Sequence, residues 1–310
     1  MLIFTFVNPP APIVTMDKDT LFGKKQIMNC RGKYIDLSDP KIMGILNITP
    51  DSFYDGGKYL TREAILSRTG KMISEGADII DIGAYSSRPG ATHISEKEEI
   101  KRLTNALEII RKKYPEQILS VDTFRSAIAR FVTEEFDVAV INDISGGTMD
   151  KKMHDTIAEL NAVYIVMHMQ GTPQNMQNNT GYNDLISDVM DFLGDQIGKL
   201  RQKGVNDLII DPGFGFGKSP DQNYRILAHL NVFGMLDCPV LAGISRKSMI
   251  YRILDTTPGE ALTGTIALNM LALMNGADIL RVHDVKEAVQ TIQLFLKVRT
   301  EGIKYIDQHK

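Results

Sequence analysis

From Lys41 onward the chain repeats one phrase: a short run of Ile, Val and Leu, a polar residue, a loop, then a longer stretch with helical spacing. The short runs fall at 42–46, 79–82, 118–121, 138–141, 163–167, 208–210, 240–244 and 279–282. Runs this short and this apolar predict strands buried on both faces, and therefore parallel ones. The stretches between them predict helices over 62–75, 96–114, 124–134, 153–160, 184–203, 221–229, 261–275 and 285–299. The second of these carries Ile100, Leu103, Leu107 and Ile110 on one face, and Ser95 and Glu98 stand at its start with capping-box spacing. From Asn47 to His283 the units recur about every 34 residues, close to the spacing of a (β/α)8 barrel. Alternation alone would also allow a doubly wound open sheet. Eight repeats without a Gly-rich fingerprint in the first turn favour an α/β fold of the TIM-barrel kind.

The barrel is expected to form one domain over 26–310. It is preceded by a short hairpin at 27–37, turning at Arg31-Gly32-Lys33, and by an irregular N-terminal extension over 1–25. The opening MLIFTFV is apolar but lacks a basic flank, and Pro9, Pro10 and Pro12 break the stretch after it, so it does not read as a secretion signal. No apolar run approaches the roughly 20 residues of a membrane span. A net charge of −3 over 310 residues argues against a broad nucleic-acid-binding face. Two cysteines, Cys30 and Cys238, make neither a disulfide framework nor a Cys-rich metal site, and a cytoplasmic location is expected.

In a closed barrel the C-terminal ends of the strands surround one pocket. Here those ends carry Asn47, Asp81, Asp122, Asn142, His168, Asp211, Lys247, Arg281 and His283. Strand ends are often polar merely because loops are, but eight consecutive strands ending in a chemically able group make that reading weak for the set. The residue types divide in two. Asp122, Asn142 and Asp211 suit a flat heterocycle presenting N–H donors, such as a 2-amino-4-oxo pyrimidine edge. Arg281, His283, Arg88 and Asn47 lie on or after the eighth, first and second strands, which are neighbours in a closed barrel, and arginine's fork suits phosphate oxygens. Asn47, with Asp51 or Asp55 nearby, is a candidate for holding Mg²⁺ against a diphosphate, although Asp51 reads better as a turn residue after Pro50. Asp81 reads as structural, bonding neighbouring backbone.

Three local patterns mislead. PGFGFGKS at 212–219 resembles a phosphate-binding loop but has Pro212 where glycine is required. It reads better as a Gly-rich loop whose Phe216 walls a flat ligand. Asn178-Asn179-Thr180 fits a glycosylation sequon that means little in a cytosolic chain. His168 has no second ligand at metal spacing, so a structural or pocket-wall role is expected for it.

The motifs MGILNITPDSF (43–53), DIGAYSSRPGA (81–91), SVDTFR (120–125), INDISGG (141–147), DPGFGFGKS (211–219), GISRKS (243–248) and RVHDV (281–285) resemble, in order, those of the dihydropteroate synthase family. The resemblance implies a (β/α)8 barrel that condenses 6-hydroxymethyl-7,8-dihydropterin diphosphate with 4-aminobenzoate in folate synthesis, a pterinylmethyl transfer open to sulfonamide mimics. It implies a pterin site of Asp122, Asn142, Met167, Asp211, Phe216 and Lys247. It implies diphosphate held by Asn47, Arg88, Arg281 and His283, with Mg²⁺ on Asn47, and an aminobenzoate side shaped by Phe53, Ser87, Pro89 and Ser248. Catalytic roles fall to Lys247, Arg281, His283 and Asp122. Ala84-Tyr85 stand where the family often has Gly-Glu, Ser87 where it often has Thr, and Tyr54 where it usually has Ser.

The expected chemistry is a dissociative substitution, with loops 49–60 and 84–95 closing to exclude water. A methyltetrahydrofolate-binding methyltransferase domain would share the barrel and the pterin-reading residues, and a pterin-binding scaffold subunit would share the fold alone. The stretch 261–275 is apolar nearly all round, so a homodimer through the late helices is expected.

Overall fold

The computed structural model describes residues 26–49, 61–86 and 93–308. The expected extension over 1–25, and Asp51, Phe53, Tyr54, Asp55, Ser87, Arg88 and Pro89, lie outside the described residues. The chain begins with an antiparallel hairpin, β1 (Ile27–Cys30) and β2 (Lys33–Asp36), in which Cys30 pairs with Lys33 across the Arg31-Gly32 turn. Eight parallel strands come next: β3 (Lys41–Asn47), β4 (Ile79–Gly83), β5 (Ile118–Asp122), β6 (Val140–Asp143), β7 (Val163–Met167), β8 (Leu208–Asp211), β9 (Leu241–Ala242) and β10 (Ile279–Val282). They pair in the order β8-β7-β6-β5-β4-β3-β10-β9. A parallel bridge between Ile210 and Val240 joins the two ends, with the Ile210 N–H donating to the Pro239 carbonyl at 2.9 Å. The sheet therefore closes on itself as a (β/α)8 barrel.

The outer layer is α1 (Arg62–Glu75), α2 (Glu96–Lys113), α3 (Ser126–Phe136), α4 (Met153–Leu160), α5 (Leu185–Gln202), α6 (Pro220–Ala228), the short α7 (Ser248–Tyr251), α8 (Leu262–Met274) and α9 (Val285–Gln308). Three local features differ from expectation. The third helix starts two residues late because Thr123, Phe124 and Arg125 are spent elsewhere. The Thr123 hydroxyl donates to Glu99 Oε1 at 2.9 Å, and Phe124 packs edge-on to Tyr85 with ring centroids 5.2 Å apart. The capping box at α2 is only half formed. Ser95 Oγ accepts from the Glu98 N–H at 3.2 Å, but the Glu98 carboxylate takes the Arg102 Nε–H at 2.8 Å instead of reaching back. Finally, α7 was not expected, being a single turn after Lys247.

Alternation along the strands sorts the core into two shells. Ile42, Leu46, Ile80, Ile82, Leu119, Val121, Tyr164 and Val166 face outward and pack with the helices. Met43, Ile79, Val140, Val163, Ile165, Ile209, Leu241 and Ile279 face inward and form the barrel floor with Met28, Cys30, Ile35 and Leu37 of the hairpin segment. The hairpin thus plugs the N-terminal mouth. It is tied there by Arg31 to Asp137 (2.8 Å) and to the Leu160 carbonyl (3.1 Å). Burial, and next the nearby Asp207, push the Cys30 thiol up to about 12, which makes it a packing residue. Above this floor the inward positions change to polar residues, and the site begins.

Candidate active site

The cup is built by register. Asn47 on β3 lies level with Gly83 on β4, Gly83 with Asp122 on β5, and Asp122 with Asn142 on β6. Gly83 matters by what it lacks: a Cβ there would sit 3.2 Å from Asn47 Oδ1 and 3.9 Å from Asp122 Cβ. The missing side chain lets the amide of Asn47 and the carboxylate of Asp122 approach one space. Across the cup Met167 on β7 lies level with Asp211 on β8.

One level deeper sits Asp81, with none of its surface exposed. Contrary to expectation it bonds side chains. Its Oδ1 accepts from Ser120 Oγ at 2.6 Å. Its Oδ2 accepts from Asn142 Nδ2 at 3.1 Å and from Arg281 Nε at 2.7 Å. Arg281 Nη2 lies 2.6 Å from the same oxygen and donates to Asp122 Oδ2 at 3.1 Å. Arg281 therefore points inward, onto two carboxylates, rather than out toward the mouth. Burial raises the Asp122 carboxyl to about 7, with the Arg281 guanidinium pulling the other way and Asp81 adding to the rise.

The opposite wall comes from the loop after β8. Asp211 Oδ1 accepts the Gly213 N–H at 2.7 Å, while burial raises its carboxyl against the pull of Lys247. Lys247 donates to the Phe214 carbonyl, and its Nζ stands 4.8 Å from the centroid of the half-buried Phe216 ring. Burial brings this ammonium down to about 8, opposed by Asp211. Met167 joins Tyr85, Phe124, Ile144, Met169 and Met176 in an apolar cluster, with Phe216 packed against it. Asp122, Asn142, Met167, Asp211, Phe216 and Lys247 thus gather around one cup, with carboxylates and an ammonium on its walls.

The loop itself is wound around Lys218, whose role the false phosphate-loop pattern conceals. Its buried Nζ donates to the carbonyls of Gly213 and Phe216, both at 3.0 Å, and meets His168 Nδ1 at 2.9 Å. Gly213 has φ +75°, and a Cβ there would lie 1.9 Å from the His168 carbonyl oxygen, so no other residue fits. Burial brings Lys218 down to about 7 and His168 down to about 3, the latter helped by Lys218. His168 is a neutral wall and buttress, as its sequence context implies.

His283, just past β10, is oriented by Ser245, a second residue that sequence reasoning misses. Ser245 Oγ accepts the His283 backbone N–H at 3.2 Å and meets His283 Nδ1 at 3.0 Å. When the hydroxyl hydrogen goes to Nδ1, the ring proton sits on Nε2. Burial, with Arg281 second, brings the imidazole down to about 4, so it serves as a neutral donor. Ser248 opens α7 directly after Lys247 and is half-buried. Among the described residues no cluster of three His, Cys, Asp or Glu could hold a metal unaided. Asn47 offers one hard amide oxygen at the mouth, which fits a magnesium ion that draws its remaining oxygens from phosphate and water.

Sequence and structure comparisons place the chain among known proteins. The pterin binding enzyme family matches residues 43–283. Dihydropteroate synthase of Escherichia coli (strain K12) is 40% identical over 266 residues, 85% of this chain and 93% of that protein. The crystal structure of the Yersinia pestis dihydropteroate synthase with a sulfonamide drug complex superposes with a TM-score of 0.84 at 39% identity, over 88% of this chain and 99% of the other. The Xanthomonas albilineans enzyme with 4-aminobenzoic acid gives 0.82 at 36% identity, over 88% and 98%.

Proposed function

The chain belongs to the dihydropteroate synthase family of pterin-binding enzymes, transferases of a pterinylmethyl group in folate synthesis, and we propose how its barrel carries out the reaction. It joins 6-hydroxymethyl-7,8-dihydropterin diphosphate to 4-aminobenzoate, releasing 7,8-dihydropteroate and diphosphate. The single observation that carries this reading is the placement of Asp122, Asn142, Asp211, Lys247 and Arg281 in one cup, acceptors set against cations.

The pterin lies flat between Met167 and Phe216. Its ring N–H groups and amino group bond Asp122 and Asp211, which favours the carboxylate form of both. Asn142 and Lys247 take the remaining edge. Arg281, its Nε and Nη2 held by Asp81 and Asp122, offers its remaining Nη1 to the diphosphate, joined by His283 and by Arg88. Asn47 would hold a Mg²⁺ ion, which would add further neutralisation of the diphosphate charge. The exocyclic C–O bond breaks, the electron pair leaves with the diphosphate, and the ring spreads the positive charge that remains. The residues around the cup stabilise this charge separation without moving. The aromatic amine then attacks the carbon and loses its proton afterwards, so no strong base is required. Phe53, Ser87, Pro89 and Ser248 shape the aminobenzoate side, where sulfonamides compete.

A homodimer completes the reading. Ile266, Leu271 and Met274 of α8 and Leu294 and Val298 of α9 stay exposed, while polar Thr265 and Asn269 of α8 face inward. An apolar outer face on a barrel helix is what a second copy would cover. Among the described residues no helix is long and apolar enough to cross a membrane.

The test is incubation of the two substrates with Mg²⁺, following dihydropteroate by mass. Product that requires both substrates supports the reading; release of diphosphate with no condensed product counts against it.

A further inference from the structure

We propose that Asp81 is the positioning residue of this site, a single buried carboxylate that sets the direction of Arg281 and the amide orientation of Asn142 together. The proposal rests on the reaction read above. Asp81 sits inward on β4, between Ile45 on β3 and Ser120 on β5 in the register. An apolar side chain at this depth would be cheaper, as Ile45 beside it shows, because a buried carboxylate must be fully bonded to be tolerated. Asp81 meets that demand through Ser120 Oγ at 2.6 Å, Asn142 Nδ2 at 3.1 Å and Arg281 Nε at 2.7 Å.

Each bond has a consequence at the site. Asn142 spends an N–H on Asp81, which turns its Oδ1 away from Asp81 as an acceptor. Arg281 spends its Nε and Nη2 edge, and the rigid guanidinium then presents Nη1 in one direction. The residue assigned to the heterocycle and the residue assigned to the anion are therefore set by the same oxygen, Oδ2. Ser120, which touches neither ligand, holds the carboxylate in its plane.

The experiment compares wild type, Asp81→Asn and Ser120→Ala in turnover, and by calorimetry with two unreactive probes, 6-hydroxymethylpterin and inorganic pyrophosphate, in Mg²⁺ buffer. Asp81→Asn keeps the volume but removes the inner counter-charge of Arg281 and replaces one of the two acceptor oxygens by a donor, so that the carbonyl shared by Asn142 and Arg281 is neutral and the amide N–H must turn onto Ser120. The expected result is a loss in kcat of about 10²-fold, the scale of an ångström-sized misplacement. The KM for 4-aminobenzoate stays within about threefold, since that ground-state contact is untouched. Both probes bind more weakly. A role confined to stability would lower the thermal midpoint and the active fraction while leaving both probe affinities as in wild type, and that result overturns the proposal. Should Asp81→Asn not fold, Ser120→Ala decides: both affinities fall together if Asp81 sets the two groups, and unchanged affinities end the idea. Failure of wild type to form dihydropteroate would instead strike the functional reading, which the same assay reports separately.

Discussion

Lys218 Nζ and His168 Nδ1 lie 2.9 Å apart in the interior of the loop that walls the cup, and no carboxylate joins them within ion-pair distance among the described residues. The ammonium is held by carbonyl dipoles instead, from Gly213 and Phe216. Lys218→Met keeps the length and removes the donors. Leaving such acceptors buried and unpaired costs about 1–3 kcal/mol. Thermal denaturation should show that loss. Pterin affinity should fall too, because Phe216 and the Phe214 carbonyl that holds Lys247 ride on the same loop.

Arg281→Ala removes the only group that bonds both Asp81 and Asp122 among the described residues. On the proposed mechanism the diphosphate also loses a cation that acts as charge develops on it. Saturating turnover is expected to fall by at least about 10²-fold, the usual cost of removing a donor aimed at developing charge. Near-normal kcat would contradict the departure-first mechanism.

The pH dependence of stability can be read from Asp122. Its folded pKa, about 7, lies above the ordinary carboxylate value because of burial, so the folded state keeps a proton that the unfolded chain has released. The folded state binds more protons between the unfolded and folded pKa values, and stability contributed by Asp122 therefore declines as pH rises from about 4 to about 7 and then levels off. Asp122→Asn abolishes that slope. Calorimetric midpoints of the ligand-free proteins should show the variant gaining on wild type across this window. A parallel pair of curves would refute the assignment.

The two mouths of the barrel should respond differently to truncation. Met28, 1% exposed, belongs to the plug and packs in the barrel floor rather than at the strand ends that carry the cup. Met28→Ala is expected to cost about 2–5 kcal/mol of stability, the range for such core deletions. Both KM values should be unchanged at a temperature where the variant stays folded.

On the outer surface, Leu271 of α8 is 49% exposed and Leu294 of α9 is 64% exposed. Placing Glu at both positions would bury charge in any interface there. Light scattering should report a dimer for wild type and a monomer for the double variant at micromolar concentration. A monomeric wild type would remove the basis for the dimer.

Strand order and count were legible in the chain because eight apolar runs, each ending in a polar residue, admit few closed arrangements. The cup residues Asp122, Asn142, Asp211 and Lys247 were legible for the same reason. Asp81 was visible too, yet misassigned: in IIDIG it is two residues from the inward Ile79, so alternation already aimed it into the barrel. Ser245 ended the run 240–244 but was passed over for Lys247, and Lys218 carried no such signal. Their roles depend on partners 38 and 50 residues away in the chain.

The barrel, the family and the roster of groups around the cup could all be read along the chain, because periodicity and residue chemistry are local properties. Which of those groups touch was settled only by folding. The closed sheet turned Arg281 inward onto Asp81 and Asp122, set the His283 ring against Ser245, and wrapped a loop around Lys218. Such pairings are set by burial and by the electrostatics of groups brought together from distant strands, and neither exists until the sheet has closed.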